Sequence, residues 1–361
     1  LLLIYRSPFL WLIPLTAVGF AEVTSRGLGT TLSEHGVTIT SQAAALMTVL
    51  VFGVGTDYAL LVIARYRDEL RRNADPHEAM SDALARSGPT ILASAATVIA
   101  ALLCMMLADV NATAGAGPIG AMGIAVAMLA MLTLLPALLL IAGRRAFWPL
   151  VPEYDGLAPE VPVNFWSRLS DGIARHPGRV TVAVFAVMAL MAMGLTTRPG
   201  GLDLAGSFHN PVDAVEGMQM LERTLPPGAT GPMVVLVKDP GQVPGVVATL
   251  KKSGDVAAVG LVQPGRGATR IEATLKYSPY SEQAIESVAR VRDQLGTALP
   301  GAALVSGATA IESDSRHFAA QDNKLIMPLV LLVVFIVLLL LLRSFVAPVM
   351  PIITAVAWFL A

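Results

Sequence analysis

The sequence predicts a polytopic α-helical membrane protein with an inserted, extracytoplasmic α/β domain of split βαβ, ferredoxin-like order. Three observations lead there. Apolar residues make up 55% of the 361 and charged residues 14%, whereas a soluble domain carries roughly 25% charged residues. The charge deficit is gathered into apolar runs of roughly the 20 residues that a helix needs to cross a bilayer core. The stretch 196–323 breaks this pattern with charges, prolines and short β-prone runs.

Membrane-crossing helices are expected over residues 9–23, 41–64, 89–108, 118–142, 180–195 and 325–342, and a further apolar run starts at 346. Basic residues alternate between the connections. Arg6 precedes the first run, and Arg65, Arg67, Arg71, Arg72 and Arg86 separate the second from the third. Arg144, Arg145, Arg168, Arg175 and Arg179 separate the fourth from the fifth, and Arg343 follows the sixth. The intervening connections hold only Arg26 in one case and no basic residue in the other. Because arginine-rich loops stay cytoplasmic, the segment after residue 195 is expected outside.

The chain divides accordingly into a bundle (1–143), a cytoplasmic linker (144–179), a span (180–195), the outer domain (196–323) and a last pair of spans (324–361). In the linker, Phe147, Trp148, Phe165 and Trp166 lie among arginines and Pro149, Pro152, Pro159 and Pro162. That mixture fits a segment at the membrane interface. In the outer domain the patterns predict a helix over 212–224 and a strand over 233–238. A helix over 243–252, strands over 256–263 and 270–277, a helix over 281–299 and a strand over 302–306 follow. From the first strand onward this is the split βαβ order.

Both ends of the sequence cut apolar runs, so the chain is expected to be a piece of a longer protein. Leu2-Leu3-Ile4-Tyr5-Arg6-Ser7 parallels Leu339-Leu340-Leu341-Leu342-Arg343-Ser344, and Pro14 parallels Pro351 at the same offset. Such repetition suggests two homologous halves.

Several function classes drop out. The net charge of −1 gives no field for nucleic acid. Cys104 is the single cysteine and the five histidines are scattered, so neither a disulfide within the chain nor a zinc site is expected. No nucleophile–base constellation suggests an enzyme, and no cofactor is expected. Gly115-Ala116-Gly117-Pro118-Ile119-Gly120 matches the dinucleotide fingerprint literally. It follows a loop and opens an apolar run, so it reads as a turn and helix packing. Asn111-Ala112-Thr113 is a glycosylation sequon, inert in the bacterium that the excess of Arg over Lys suggests. Asp203, Asp213, Glu216 and Glu222 have no metal-ligand spacing and read as solvated surface.

The residues that carry chemistry are Gly53-Val54-Gly55-Thr56-Asp57-Tyr58. Asp57 is the only carboxylate in the run 41–64 and lies eight residues before Arg65, about 12 Å inside the helix end. A mid-span Asp costs about 2.5–3.5 kcal/mol on insertion scales, and burial favours its neutral form. A carboxyl that gains and loses a proton there is the minimal part of a proton relay. Tyr58 offers a hydroxyl at similar depth, about 100° round the helix. Gly53 and Gly55 would allow close helix approach. The structural alternative has Asp57 hydrogen-bonded to Ser94 or Thr97 on the next span.

The motif Gly55-Thr56-Asp57-Tyr58-Ala59-Leu60, continuing to Arg65-Tyr66-Arg67-Asp68-Glu69-Leu70, resembles the fourth-helix signature of the MmpL family of resistance–nodulation–division transporters. Gly88-Pro89-Thr90-Ile91-Leu92-Ala93-Ser94 resembles the start of that family's fifth helix, and Thr133-Leu134-Leu135-Pro136-Ala137-Leu138 the end of its sixth. Ser306-Gly307-Ala308-Thr309-Ala310 with Asp314 resembles the end of its second porter domain, leading into the eighth helix. The resemblance implies a stretch from the end of helix two to the start of helix nine. It also implies a second Asp-Tyr pair on helix ten, facing Asp57 and Tyr58. The chain departs from the signature at Leu61 and Val62, where an aromatic residue is expected.

The activity so implied is proton-driven export of lipids or other amphiphiles across the bacterial inner membrane. Implied partners are membrane lipids, the amphiphilic substrate, protons and the second half of the same protein; a homo-oligomer is compatible with this reading. Helices two to six also resemble a sterol-sensing domain, so a lipid-sensing receptor is one alternative function. An auxiliary subunit of protein export is another.

Overall fold

The computed structural model describes residues 7, 9–149, 151–152, 154, 165–192, 212–279, 281–342, 345, 348–349 and 352–354. The repeat pairing of 2–7 with 339–344, Pro351, the run from 346, Pro159, Pro162 and Asp203 fall wholly or partly outside them. The chain divides into two compact units, Leu1–Leu195 with Asp322–Ala361, and Thr196–Gln321.

The first unit is helical. Its elements are α1 (Leu12–Glu34), α2 (Ser41–Arg72), α3 (Pro76–Leu103), α4 (Asn111–Leu132), α5 (Leu134–Ala142), α6 (Phe165–Arg175) and α7 (Pro177–Ala192). Two of these helices start at side-chain caps. The Thr40 hydroxyl accepts from the Ala43 amide at 3.1 Å to cap α2. The Asp75 carboxylate accepts from the His77 amide at 2.9 Å, just ahead of Pro76, to cap α3. Arg71 and Arg72 close α2, where cations complement the helix dipole.

Among the described residues, four helical stretches are long and apolar enough to cross a membrane: Ser41–Arg72, Pro76–Leu107, Asn111–Phe147 and Ala308–Leu341. Ser167–Arg175 and Pro177–Met191 form a fifth candidate, bent by 99° between them. The run predicted over 9–23 is different. It belongs to a longer helix, α1, whose second half is polar and which carries Glu22 and Arg26. Arg26 therefore sits in a helix and not in a loop, and a basic residue does stand within the bundle.

Helix α4 is the centre of this unit. Its Gly115, Gly117, Gly120 and Gly123 lie where any Cβ would meet a neighbour: Thr38 O at 2.1 Å, Leu102 O at 2.5 Å, Leu102 Cδ1 at 3.2 Å and Met47 Cγ at 2.9 Å. The dinucleotide-like glycines are thus contact points for α2, α3 and the α1–α2 connection. The buried core around them includes Val51, Ile63, Ile91, Ile124, Met131 and Leu139. At the head of α4 the Asp322 carboxylate accepts from the Asp109 and Val110 amides at 2.9 and 3.2 Å.

Phe147, expected at the membrane interface, is buried. Its ring meets Tyr66 at 6.2 Å. Beside it, Arg144 donates to the carbonyls of Asn73, Ala74 and Pro152. Trp148 and Phe165 remain exposed.

The second unit contains α8 (Asp213–Thr224), β1 (Met233–Val237), α9 (Val243–Lys252), β2 (Val256–Pro264), β3 (Thr269–Leu275), α10 (Glu282–Ala298), β4 (Ala303–Ser306) and the start of α11 (Ala308–Leu342). The sheet order is β2-β3-β1-β4, with all neighbours antiparallel. Alternation decides its faces. Met233, Val235 and Val237 of β1 and Ile271, Ala273 and Leu275 of β3 point into the core. There they meet Val246 and Leu250 of α9 and Val288, Val291 and Leu295 of α10. Gly307, at φ +109°, makes the turn from β4 into α11, and a Cβ there would lie 3.0 Å from Pro232 O.

Two ion pairs fasten α10. Arg292 forks onto Asp314 and donates to Val305 O at 3.1 Å. Arg290 forks onto Asp255 at 2.8 and 3.0 Å, and the Ser287 hydroxyl donates to the same carboxylate at 3.2 Å. The hydrogen bonds from Arg290 hold the Asp255 carboxyl below its ordinary value of 3.8.

Two predictions follow from this packing. Gly115→Ala should lower stability by about 1–3 kcal/mol, the usual cost of overpacking. Gly27→Ala, whose Cβ meets nothing within 4 Å, should raise it by about 0.5–1 kcal/mol. Thermal unfolding of the detergent-solubilised protein compares them. For Asp255, a depressed carboxyl stabilises the fold above the ordinary carboxyl range, and that contribution is lost as pH falls through the folded-state value. Asp255→Asn should therefore destabilise the protein near neutrality, with the gap from the parent protein shrinking below about pH 4. Melting curves at a series of pH values measure this gap.

Candidate functional site

Helix α2 carries the site and turns its two polar groups to different sides. Its buried stripe includes Met47, Val51, Gly55, Tyr58, Val62 and Tyr66. Leu46, Val49, Gly53 and Asp57 form another stripe, exposed in this structure. The spacings of three and four residues place these four on one helical face. Asp57 is thus a carboxylate in an otherwise apolar outward face, and it hydrogen-bonds to none of the described residues. The burial expected of Asp57 is not supplied by α1, α3 or α4, because α2 turns that face away from them.

Tyr58, about 100° away on the helix, is buried at 6% exposure. Its hydroxyl donates to Ser94 Oγ on α3 at 3.4 Å. Ser94 therefore partners Tyr58 and not Asp57. Thr97 donates to Ala93 O within its own helix at 2.8 Å, so it meets neither residue of the pair. Thr56 likewise turns back onto Phe52 O and Gly53 O.

The two glycines also separate. A Cβ on Gly55 would lie 2.9 Å from Val18 Cγ2, so Gly55 is where α1 packs on α2. A Cβ on Gly53 would meet nothing within 4 Å. Gly53 belongs to the face of Asp57.

The structure adds a polar cluster that the sequence reading passed over. Glu22 of α1 is buried. Its Oε1 accepts from Arg26 Nε and from Thr48 Oγ1 of α2, both at 2.7 Å. Arg26 Nη2 also donates to Thr48 Oγ1 at 3.1 Å. The signal was present: Glu22 falls on the inward stripe of Pro14, Ala17, Val18, Ala21, Ser25 and Gly29. Glu22 lay inside the run read over 9–23 and was passed over there. A third acid, Glu69, is buried at the far end of α2, with Arg86 at 3.4 Å and Arg72 at 3.8 Å.

Comparison with known proteins places this chain in a family. The MMPL family model matches residues 1–180 and 206–361. The membrane protein ActII-3 of Streptomyces coelicolor is 41% identical, over 99% of this chain and 50% of that protein. The apo-petrobactin exporter of Bacillus anthracis is 30% identical, over 99% of this chain and 52% of that protein. A probable transport protein, MmpL12 of Mycobacterium tuberculosis, is 32% identical over 75% of this chain and 23% of its own length. The chain spans about half the length of the first two relatives. With its family model matched along nearly the whole chain, and with long apolar helices to match, this membrane protein belongs to the MMPL family.

Proposed function

We propose that the chain is part of a proton-driven exporter of lipids or other amphiphiles in the bacterial inner membrane. One observation carries the reading: a carboxylate, Asp57, stands in the middle of an apolar outward face on a helix long and apolar enough to span. Such a face is built to meet another helix, and a lone carboxylate there has value if it gains and loses a proton. Asp57 is the proton acceptor. Tyr58, anchored to Ser94, fixes the turn of α2 that presents Asp57. The facing surface belongs to the second half of the full-length protein.

The exporter named among the relatives supports transport as the activity. We read the unit around β1–β4 as an extracytoplasmic porter domain of ferredoxin-like fold. Its antiparallel order β2-β3-β1-β4 supports that reading. Its placement outside rests on the arginines of the 65–86 and 144–179 connections.

Two measurements on the full-length protein test this function. Asp57→Asn keeps size and hydrogen bonding but cannot ionise. It should express normally and lose proton-dependent export; retained export would remove Asp57 as the acceptor. For orientation, single cysteines replace Ser81 or Lys252 in a Cys104→Ala background, both sites being exposed. An impermeant thiol reagent applied to intact cells should label position 252 and spare position 81. Equal labelling would overturn the orientation.

A further inference from the structure

We infer that Glu22 is a second proton-binding carboxyl of the bundle, separate from the Asp57–Tyr58 pair, with Arg26 and Thr48 as its positioning residues. The inference rests on the proton-driven reading and adds a site to it.

The two oxygens of this carboxyl are treated unequally. Oε1 accepts from Arg26 Nε and Thr48 Oγ1 at 2.7 Å each. Oε2 is fully buried and has no hydrogen-bond partner among the described residues. The Ser25 hydroxyl, on the same inward stripe, is also buried without a partner. A bare carboxylate oxygen in apolar surroundings costs far more than a protonated one. The arrangement therefore holds one oxygen in fixed bonds and leaves the other as the place for a proton.

Among the described residues no other charge competes for this carboxyl from the elements packed around it. Helices α4 and α5 carry no titratable residue at all. On α2, residues 41–56 carry none, and Asp57 and Tyr58 come next. Among the described residues Arg26, one turn along α1, is the only cation in contact, and its side chain is 64% exposed. When Glu22 releases the proton from Oε2, the negative charge left behind is balanced by the guanidinium already at Oε1. When it takes the proton up, Arg26 stays charged in its exposed position. The proton passes to or from water; no other bond forms or breaks.

Position gives the site a direction. Glu22 lies ten residues into α1 from Leu12, about 15 Å. Its partner Thr48 precedes Asp57 by nine residues on α2, about 13–14 Å along the axis. Given the orientation proposed above, Glu22 stands on the outer side of Asp57, where a proton driving export would enter. The separation is too long for direct transfer, so Glu22 loads before Asp57 and does not share a hydrogen bond with it.

The test uses the full-length protein in proteoliposomes, with export driven by an imposed pH gradient and read against external pH. Asp57→Asn serves as the reference. Glu22→Gln keeps shape and the Oε1 acceptor but cannot hold an exchangeable proton. It should remove one titration step from the export profile and remove a protonated-carboxyl band from the infrared difference spectrum between acid and neutral pH. Thr48→Val keeps the carboxyl but deletes a donor to its Oε1, so the same infrared band should shift in frequency. If Asp57→Asn abolishes export while Glu22→Gln and Thr48→Val leave both the profile and the infrared band unchanged, Glu22 is structural and the inference is overturned. If Asp57→Asn also leaves export intact, the acceptor role of Asp57 has failed first; if the parent protein exports equally without the gradient, the proton-driven reading has. The infrared band, measured on purified protein, decides the matter for Glu22 even where a variant transports poorly.

Discussion

The bundle depends on the close approach of backbones along α4. Its glycines leave no room for even a methyl group against Thr38 and Leu102, and barely any against Met47. In an apolar bundle there is little hydrophobic gain in moving a side chain from lipid to protein, so packing contacts carry association. Small residues at the contact set how near the helices come and how each is rotated. Because α2 must lay Met47 and Val51 onto Gly123 and Gly55 onto Val18, its rotation is fixed. That rotation sends Tyr58 inward and Asp57 outward.

The same constraint organises the polar groups. Each buried acid of the helical unit touches a cation or a backbone donor. Glu22 has Arg26 and Thr48, Glu69 has Arg72 and Arg86, and Asp322 has the amides of Asp109 and Val110. Asp57 stands apart in having no such contact among the described residues. A carboxylate with all its bonds fixed within the described bundle would be expected to keep contacts like those of the other three. The contrast supports reading Asp57 as a group whose partner changes, and it separates Asp57 from Glu22, which has a fixed side and an open side.

In the second unit, stability and shape come from a different source. Alternation along β1 and β3 builds one dry face, and α9 and α10 cover it. The forks from Arg290 to Asp255 and from Arg292 to Asp314 then hold α10 on two of its sides. This is water-soluble architecture carried by a chain that is elsewhere suited to lipid. Gly307, with its left-handed φ, makes the turn from the last strand into the long apolar helix.

Much of this was legible in one dimension. Periodicity located every strand and helix from 233 to 306 to within about two residues, because a half-buried strand or helix must repeat its apolar residues at the period of its backbone. Length and apolarity marked α2, α3, α4 and α11, and Arg-flanked Asp57 stood out as the lone acid of its run. Other features were not legible. Hydropathy ends the first run at residue 23, whereas α1 continues as a helix through Arg26 to Glu34. Phe147 is buried because Tyr66 and the reach of Arg144 draw the 143–147 turn under the bundle. Which residue Ser94 would meet, and which of Gly53 and Gly55 would touch a neighbour, depended on the rotation of α2. Sequence carries the chemistry and spacing of side chains, but rotation about a helix axis is set by contacts between segments distant in the chain, and those exist only once the helices have packed.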